Sequence, residues 1–369
     1  MRRFLAVGAI LALASAARAQ LIEAEITYYS RGKKTHDTVR GTIIEESPGL
    51  IAYRLSGRTE KVPAPDVVEV VYLPASALAR QDIRRAQRYE DEIDRAPDAA
   101  SRRKAVQQAI DSYQQLLPQL GESNFARRHI AFKAAQLTAR LAEDDPEQRE
   151  AAIGALTKFL KENGTGWQVG PASKLLAQLQ LEKGDLAAAL KTYHDLAQKP
   201  DLARETRHEY ELLAVRALLR RDRYDEAQKL LKAIQDRLLP EDAAIRARVN
   251  IYLAGCQGAT GNLAEAEKSL KAVLEGEADG AIKALACNTL ADCYRKANRA
   301  EDAFWRYLMV DILYNQDPEE HARALYELAR LFEELRKDPV RAQECRERLL
   351  REKQFAGVDY RRWALRGGK

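Results

Sequence analysis

Gly184, Asp222, Gly261 and Asn298 recur at spacings of 38, 39 and 37 residues. All three residue types tolerate a left-handed backbone, which tight interhelix turns often require. Five residues after each stands alanine: Ala189, Ala227, Ala266 and Ala303. Nine residues after each stands Tyr193, Leu231, Leu270 or Tyr307, and twelve after comes Leu196, Ile234, Val273 or Val310. Seven residues before each stands Ala177, Val215, Ala254 or Ala291. Small residues at fixed places let the two helices of a hairpin approach closely. The large residues fill the space between one hairpin and the next. No single hairpin can bury its apolar face alone, so a period of this size predicts stacked helical hairpins around one elongated core.

From Ala75 onward the chain is rich in Ala, Leu, Glu, Arg and Lys, as amphipathic helices are. Helices are expected over about 76–95, 99–117, 124–142 and 146–162, with Pro97, Pro118 and Gly121 as breaks. Asp98 is placed to cap the second. Asp145 before Pro146 marks the start of the fourth, with proline at the first helical position. Residues 163–171 read as a Gly-rich loop carrying Trp167.

Residues 20–74 read differently. Ile22, Ala24, Ile26 and Tyr28 alternate with polar residues, as do Val39, Gly41 and Ile43. Turns are expected at Glu46-Ser47-Pro48-Gly49, at Ser56-Gly57-Arg58 and at Pro63-Ala64-Pro65-Asp66. Five short strands at this spacing predict a small antiparallel β-barrel, with Gly41 at a sharp bend. The segment is similar to SH3-like and Sm-like barrels. Capping or docking against the helices is favoured over ligand binding, because fold alone carries no function.

The first nineteen residues read as a secretory signal peptide. Arg2 and Arg3 open it, an eleven-residue apolar run from Phe4 to Ala14 follows, and Ala17-Arg18-Ala19 offers a cleavage site. The run is too short for a stable membrane span. The expected product is exported, periplasmic in the simplest case. Its basic count falls from 60 to 57 against 55 acidic residues, which argues against nucleic acid as the main partner. Export permits disulfides, and Cys256 and Cys293 hold equivalent positions in consecutive repeats. Neighbouring helix axes stand ~8–10 Å apart, whereas bridged Cα atoms need roughly 4.4–6.8 Å. Cys256, Cys287, Cys293 and Cys345 are therefore expected as buried apolar side chains. No C-x-x-C, H-E-x-x-H, G-x-S-x-G or phosphate-loop motif is present, and the five histidines are scattered. Enzymatic, metal and cofactor chemistry are not expected.

The repeats resemble the tetratricopeptide family. The resemblance rests on Leu176-Ala177 with Gly184-Asp185-Leu186, on Leu253-Ala254 with Gly261-Asn262-Leu263, and on Leu290-Ala291 with Tyr294, Asn298 and Asp317-Pro318. The copy at Ala214-Val215, Asp222 and Tyr224 is looser. A further copy runs from Leu328-Ala329 and Phe332 to Ala342, with one residue inserted around Lys337-Asp338-Pro339. Residues 172–352 carry the repeats, 75–171 degenerate hairpins, and 353–369 a basic tail, expected to fray from Arg361 to Lys369. The period exceeds the family's 34 residues by three to five.

The resemblance implies that the first helix of each hairpin lines a concave face. That register holds Lys174, Gln178, Arg216, Arg220, Arg248, Asn288, Asp292, Arg295 and Lys296, then Arg323 and Arg330. The set is net positive and would suit an acidic peptide or carboxylate. Members that clamp a carboxylate use Lys and Asn across three repeats, and only Lys174 and Asn288 match. Solvated helix faces are the plainer reading of such charges. The expected role is a non-enzymatic adaptor or scaffold of the cell envelope, or alternatively a structural component that self-associates.

Overall fold

A computed structural model describes residues 22–33, 35–73, 77–121, 125–355 and 358–365. The expected signal peptide lies outside them. The chain divides into two units: 22–137 with 163–168, and 138–162 with 169–365.

The first unit opens with five antiparallel strands: β1 (Ile22–Ser30), β2 (Thr35–Glu46), β3 (Leu50–Leu55), β4 (Arg58–Pro63) and β5 (Val67–Leu73). Their order is β4-β3-β2-β1-β5, with β5 returned to the far side of β1 by a 3-10 turn at Ala64–Asp66. Ile22, Ala24 and Ile26 alternate inward on β1 and meet Ile43, Ile51, Val62, Val70 and Tyr72 from the other strands. Between β2 and β3 the register shifts at Ile43–Glu45. Gly41 pairs with Ala24, and a Cβ there would sit 2.8 Å from the Arg54 carbonyl oxygen. Close strand approach therefore explains that glycine. Two helices follow, α1 (Ala77–Arg95) and α2 (Ala99–Leu116), and then the first turns of α3 (Phe125–Asp144). Asp98 caps α2 by accepting from the Ser101 amide at 2.7 Å.

The second unit is a tetratricopeptide-like helical solenoid. After the end of α3 come α4 (Arg149–Glu162), α5 (Val169–Lys183), α6 (Leu186–Ala197), α7 (Arg204–Leu219), α8 (Tyr224–Gln235), α9 (Ala243–Ala259), α10 (Leu263–Glu275), α11 (Gly280–Lys296), α12 (Ala300–Leu313), α13 (Pro318–Glu334) and α14 (Pro339–Arg351). Each packs on the next. Two boundaries differ from expectation. Residues 146–148 form a 3-10 turn before α4, and α5 already begins at Val169 inside the anticipated loop.

The repeat registers land where the stacking argument puts them. Ala189, Ala227, Ala266 and Ala303 are fully buried, as are Leu231, Leu270 and Tyr307. The four turn residues all have positive φ: Gly184 at 93°, Asp222 at 57°, Gly261 at 108° and Asn298 at 57°. A fifth, Lys337, has φ 54°. The turns share one hydrogen bond, for example Asp185 N to the Gln180 carbonyl at 2.8 Å and Arg299 N to the Tyr294 carbonyl at 2.8 Å. In the fifth copy Asp338 N reaches back one residue further, to Phe332 at 2.9 Å. That longer closure is the inserted residue.

The expectation of a frayed tail is corrected for its described residues, and 366–369 lie outside them. A 3-10 turn at Lys353–Phe355 leads to α15 (Asp359–Leu365), and Phe355 and Tyr360 are buried. Their rings find apolar and aromatic partners on α13, which a reading of basic composition does not reveal.

Candidate functional site

The second unit holds a cavity of about 560 Å³, built from the first helices of successive hairpins. Of the residues expected to line the concave face, Arg216, Arg220, Asp292, Arg295 and Lys296 meet here, joined by Arg323 and Arg330. Tyr252, Tyr307 and Tyr326 supply aromatic walls, and Tyr360 and Trp363 enter from α15. Lys174, Gln178, Arg248 and Asn288 are not among its lining residues. Arg248 instead pairs with Glu209 at 2.5 Å. Asn288 is buried and donates to the Glu320 backbone and carboxylate at 2.9 and 2.7 Å, so it locks α11 to α13. Lys174 lies over the Tyr210 ring at 5.4 Å.

The cations are not bare. Arg216 donates to both carboxylate oxygens of Glu319, one of them at 2.7 Å, and Arg220 stands 3.8 Å from the same group. Burial pushes the Glu319 carboxyl up, but the charge and hydrogen bond of Arg216, with Arg220 and Lys174 behind it, bring it down to about 2. Arg323 pairs with Asp292, which also accepts from the Tyr307 hydroxyl. Arg295 pairs with Glu327, and Lys296 with Asp222 at 2.8 Å. Beyond Asp292, sequence reasoning missed the acids of this lattice, Glu319 and Glu327 among them. Glu319 and Glu320 follow Asp317-Pro318 and read as ordinary first-turn acids of a helix. In the structure their side chains reach back to Arg216 on α7 and Asn288 on α11.

Lining residues carry six cations, from Arg216, Arg220, Arg295, Lys296, Arg323 and Arg330, against three acids, from Asp222, Asp292 and Glu327. A polar, aromatic-walled hollow of this kind can grip a peptide by ring stacking, cation–π contact and charge-assisted hydrogen bonds. The nearby thiols are poor nucleophiles: burial pushes Cys256 up to about 11 and Cys293 up to about 12. All four cysteines are buried and free. Among the described residues no group of three or more His, Cys, Asp or Glu is placed to hold a metal. His208 and His321 each meet a carboxylate, Glu211 at 2.9 Å and Asp311 at 2.7 Å.

A second polar cluster lies in the first unit. Tyr72 on β5 donates to Glu46 at the end of β2. The Trp167 indole and the Gln168 amide donate to the Tyr72 oxygen at 3.0 and 3.3 Å. Arg128 on α3 stands 3.3 Å from Glu46 and donates to the Thr165 hydroxyl at 2.9 Å. The His129 ring packs 5.0 Å from Tyr72 and 6.0 Å from Trp167. Gly166 is needed here, since a Cβ would fall 2.3 Å from Gln168 Oε1 and 2.6 Å from Arg128 Nε. Gly164-Thr165-Gly166 thus shapes a docking joint between sheet and helix. Glu46, expected in a turn, ends a strand and is buried.

The sequence matches no protein-family model and no curated protein. Solved structures with a similar fold include a tetratricopeptide repeat protein from Parabacteroides merdae, at 13% identity over 78% of this chain and 96% of that one, TM-score 0.46. The apo form of the quorum sensor NprR from B. thuringiensis is similar at 13% identity, covering 75% and 76% of the two chains, TM-score 0.39. The apo form of RapI is similar at 12% identity over 79% and 85%, TM-score 0.35.

Proposed function

We propose that the chain is a non-enzymatic interaction scaffold that takes a protein or peptide partner of acidic character on the concave face of its solenoid. The observation that carries this reading is the convergence of five arginines, Arg216, Arg220, Arg295, Arg323 and Arg330, with five tyrosines around one hollow. The signal-like run of residues 1–19 supports a role in the cell envelope, in the periplasm in the simplest case. The first unit, whose sheet, α3 and loop 163–168 are tied by a buried polar joint, then has a structural role of its own.

Affinity capture from envelope extract tests this. The unaltered chain is expected to retain a partner that the Arg220→Glu/Arg295→Glu chain loses while keeping its helical circular dichroism. Equal capture by both would remove the concave-face reading. Capture of nothing but further copies of the chain would replace it with self-association. The observation favouring that alternative is the exposed apolar row of Trp305, Ile312 and Leu313 on α12, with Val340 on α14.

A further inference from the structure

Glu319 and Glu320 are neighbours in sequence and are held in different ways. Asp317 caps α13 by accepting from both their amides, at 2.9 and 3.0 Å, and Pro318 fixes the first turn. The Glu320 side chain is buried and accepts from the Asn288 amide, which also donates to the Glu320 backbone carbonyl, so α13 is fastened to α11 there. Glu319 reaches instead to Arg216 on α7, whose two terminal nitrogens both donate to its carboxylate. Arg220 stands 3.8 Å from the same carboxylate, and its guanidinium lies over the rings of Tyr360 and Trp363 at 5.4 and 5.1 Å. Of the Glu319 side chain, 39% meets solvent.

This geometry gives the Glu319 carboxylate two properties. It occupies the paired donors of Arg216, the edge by which an arginine grips a carboxylate. Arg216 lines the cavity, so an acidic partner meets that edge already engaged. The carboxylate is also replaceable. Asp317 holds its backbone and Glu320 holds its helix, so the side chain can turn into water without undocking α13. Exchange of one carboxylate for another keeps Arg216 paired, which avoids the cost of leaving a guanidinium unmatched. The other cations of the cavity are paired as well: Arg295 with Glu327 and Glu334, Lys296 with Asp222, and Arg323 with Asp292 and Glu320. Of these pairs, Arg216–Glu319 spans the most chain, from α7 to α13.

Resting on the concave-face reading above, we propose that Glu319 is a latch: it stands in for a side-chain carboxylate of the acidic partner, and binding exchanges one for the other on Arg216 and so unties α7 from α13. Binding and release of the tie are then one event. By linkage, a chain without the latch binds the same acidic group more tightly.

The test uses the full chain and a fluorescently labelled hexaglutamate with a blocked C-terminus, which offers side-chain carboxylates only, read by anisotropy at low salt. Glu319→Gln is expected to bind the probe roughly tenfold more tightly than the unaltered chain does. Glu333→Gln removes the same charge from α13 by breaking a pair with Arg346 of α14 at 2.6 Å, and should change the affinity by less than about twofold. Adding Arg216→Ala to Glu319→Gln should cancel the gain. In the unaltered chain, saturating probe should speed hydrogen–deuterium exchange in the first turn of α13 without speeding α7, where the probe replaces the lost partner. Equal or weaker binding by a Glu319→Gln chain of unchanged helicity overturns the latch. So does an equal gain in Glu333→Gln, which would make the effect one of net charge, and so does a gain that survives the loss of Arg216. Unchanged or slower exchange at α13 on binding overturns the exchange step, because the probe would then sit beside Glu319 rather than in its place. The probe needs no partner from the cell. A tenfold gain with no partner captured retains the latch and removes the functional reading alone, and a captured partner whose binding ignores Glu319→Gln removes the latch alone.

Discussion

Two buried residues of the first unit titrate in opposite senses, and together they set its pH response. Burial pushes the Glu46 carboxyl from 4.5 up to about 7 despite Arg128 and the Tyr72 hydroxyl. Burial pushes the His129 imidazole from 6.5 down to about 3, with Lys133 adding to the effect. Folded Glu46 holds a proton that the unfolded chain has released, so its contribution is full below pH 4.5 and fades as pH rises toward 7. Folded His129 refuses a proton that the unfolded chain takes, so its contribution is full above 6.5 and fades as pH falls toward 3. Between 4.5 and 6.5 the two slopes cancel, and stability should be flat there. Glu46→Gln removes one slope, because the amide keeps the shape without the charge. Chemical denaturation of that variant should show stability rising from pH 4.5 to 6.5. Above pH 7 it should exceed the unaltered chain by an amount bounded on the order of 3 kcal/mol, from a 1.36 kcal/mol value per pKa unit. An unchanged flat profile would mean that Glu46 is not the group responsible. None of this was legible in the sequence, where Glu46 stands beside Ser47-Pro48-Gly49 and reads as a turn. The Ser47 hydroxyl does accept from the amides of Gly49 and Leu50, at 3.3 and 3.2 Å, so the turn is real. Its burial depends on Tyr72 and on Trp167, and only the folded chain brings these to it.

At the scale of the hairpin, the turn decides what was readable. Gly184, Asp222, Gly261 and Asn298 are legible because a left-handed residue is needed at each turn and few types supply it cheaply. Lys337 breaks that rule, with φ 54° and a Cβ that the conformation disfavours. Lys337→Gly should therefore stabilise the last hairpin by about 1 kcal/mol, the typical cost of a non-glycine residue in this region. The outcome to look for is a rise in the thermal midpoint of the second unit. A fall would mean that the Lys337 side chain contributes more than its backbone costs. The small and large registers were equally readable, because Ala and Leu at fixed steps have one stable use in a stacked array. Five of the nine candidate positions meet at one cavity, because the first helices of the hairpins share one register. Their partners were not readable. Asn288 sits in the same register as its neighbours, yet it turns inward to Glu320, because helix rotation, not sequence spacing, decides which face is solvated. α15 was hidden for a related reason. Its arginines suggest solvent, and the ring contacts that hold it lie on α7 and α13.

A repeat array ordinarily conducts stability only between adjacent hairpins. The pair Arg216–Glu319 departs from that rule, since it joins α7 to α13 across intervening hairpins. The two carboxylate oxygens take both guanidinium nitrogens, so the tie is directional as well as electrostatic. Glu319 is partly exposed, with 39% of its side chain reaching solvent. Screening therefore limits the tie to roughly 1 kcal/mol. Glu319→Gln keeps the size of the side chain and removes the charge that draws Arg216, Arg220 and Lys174 together. Hydrogen–deuterium exchange by mass spectrometry should then show faster exchange in α7 as well as in α13, with α8, α10 and α12 changed less. Nearest-neighbour coupling alone would confine the change to α13 and the helices packed on it. The two patterns differ at α7, which carries Arg220. A mobile α7 would loosen Arg220 from Tyr360 and Trp363, so the same substitution should also raise exchange in α15. Faster exchange at α13 with α7 and α15 unmoved would reduce the cross-array tie to a surface ion pair that does not hold α7 to α13.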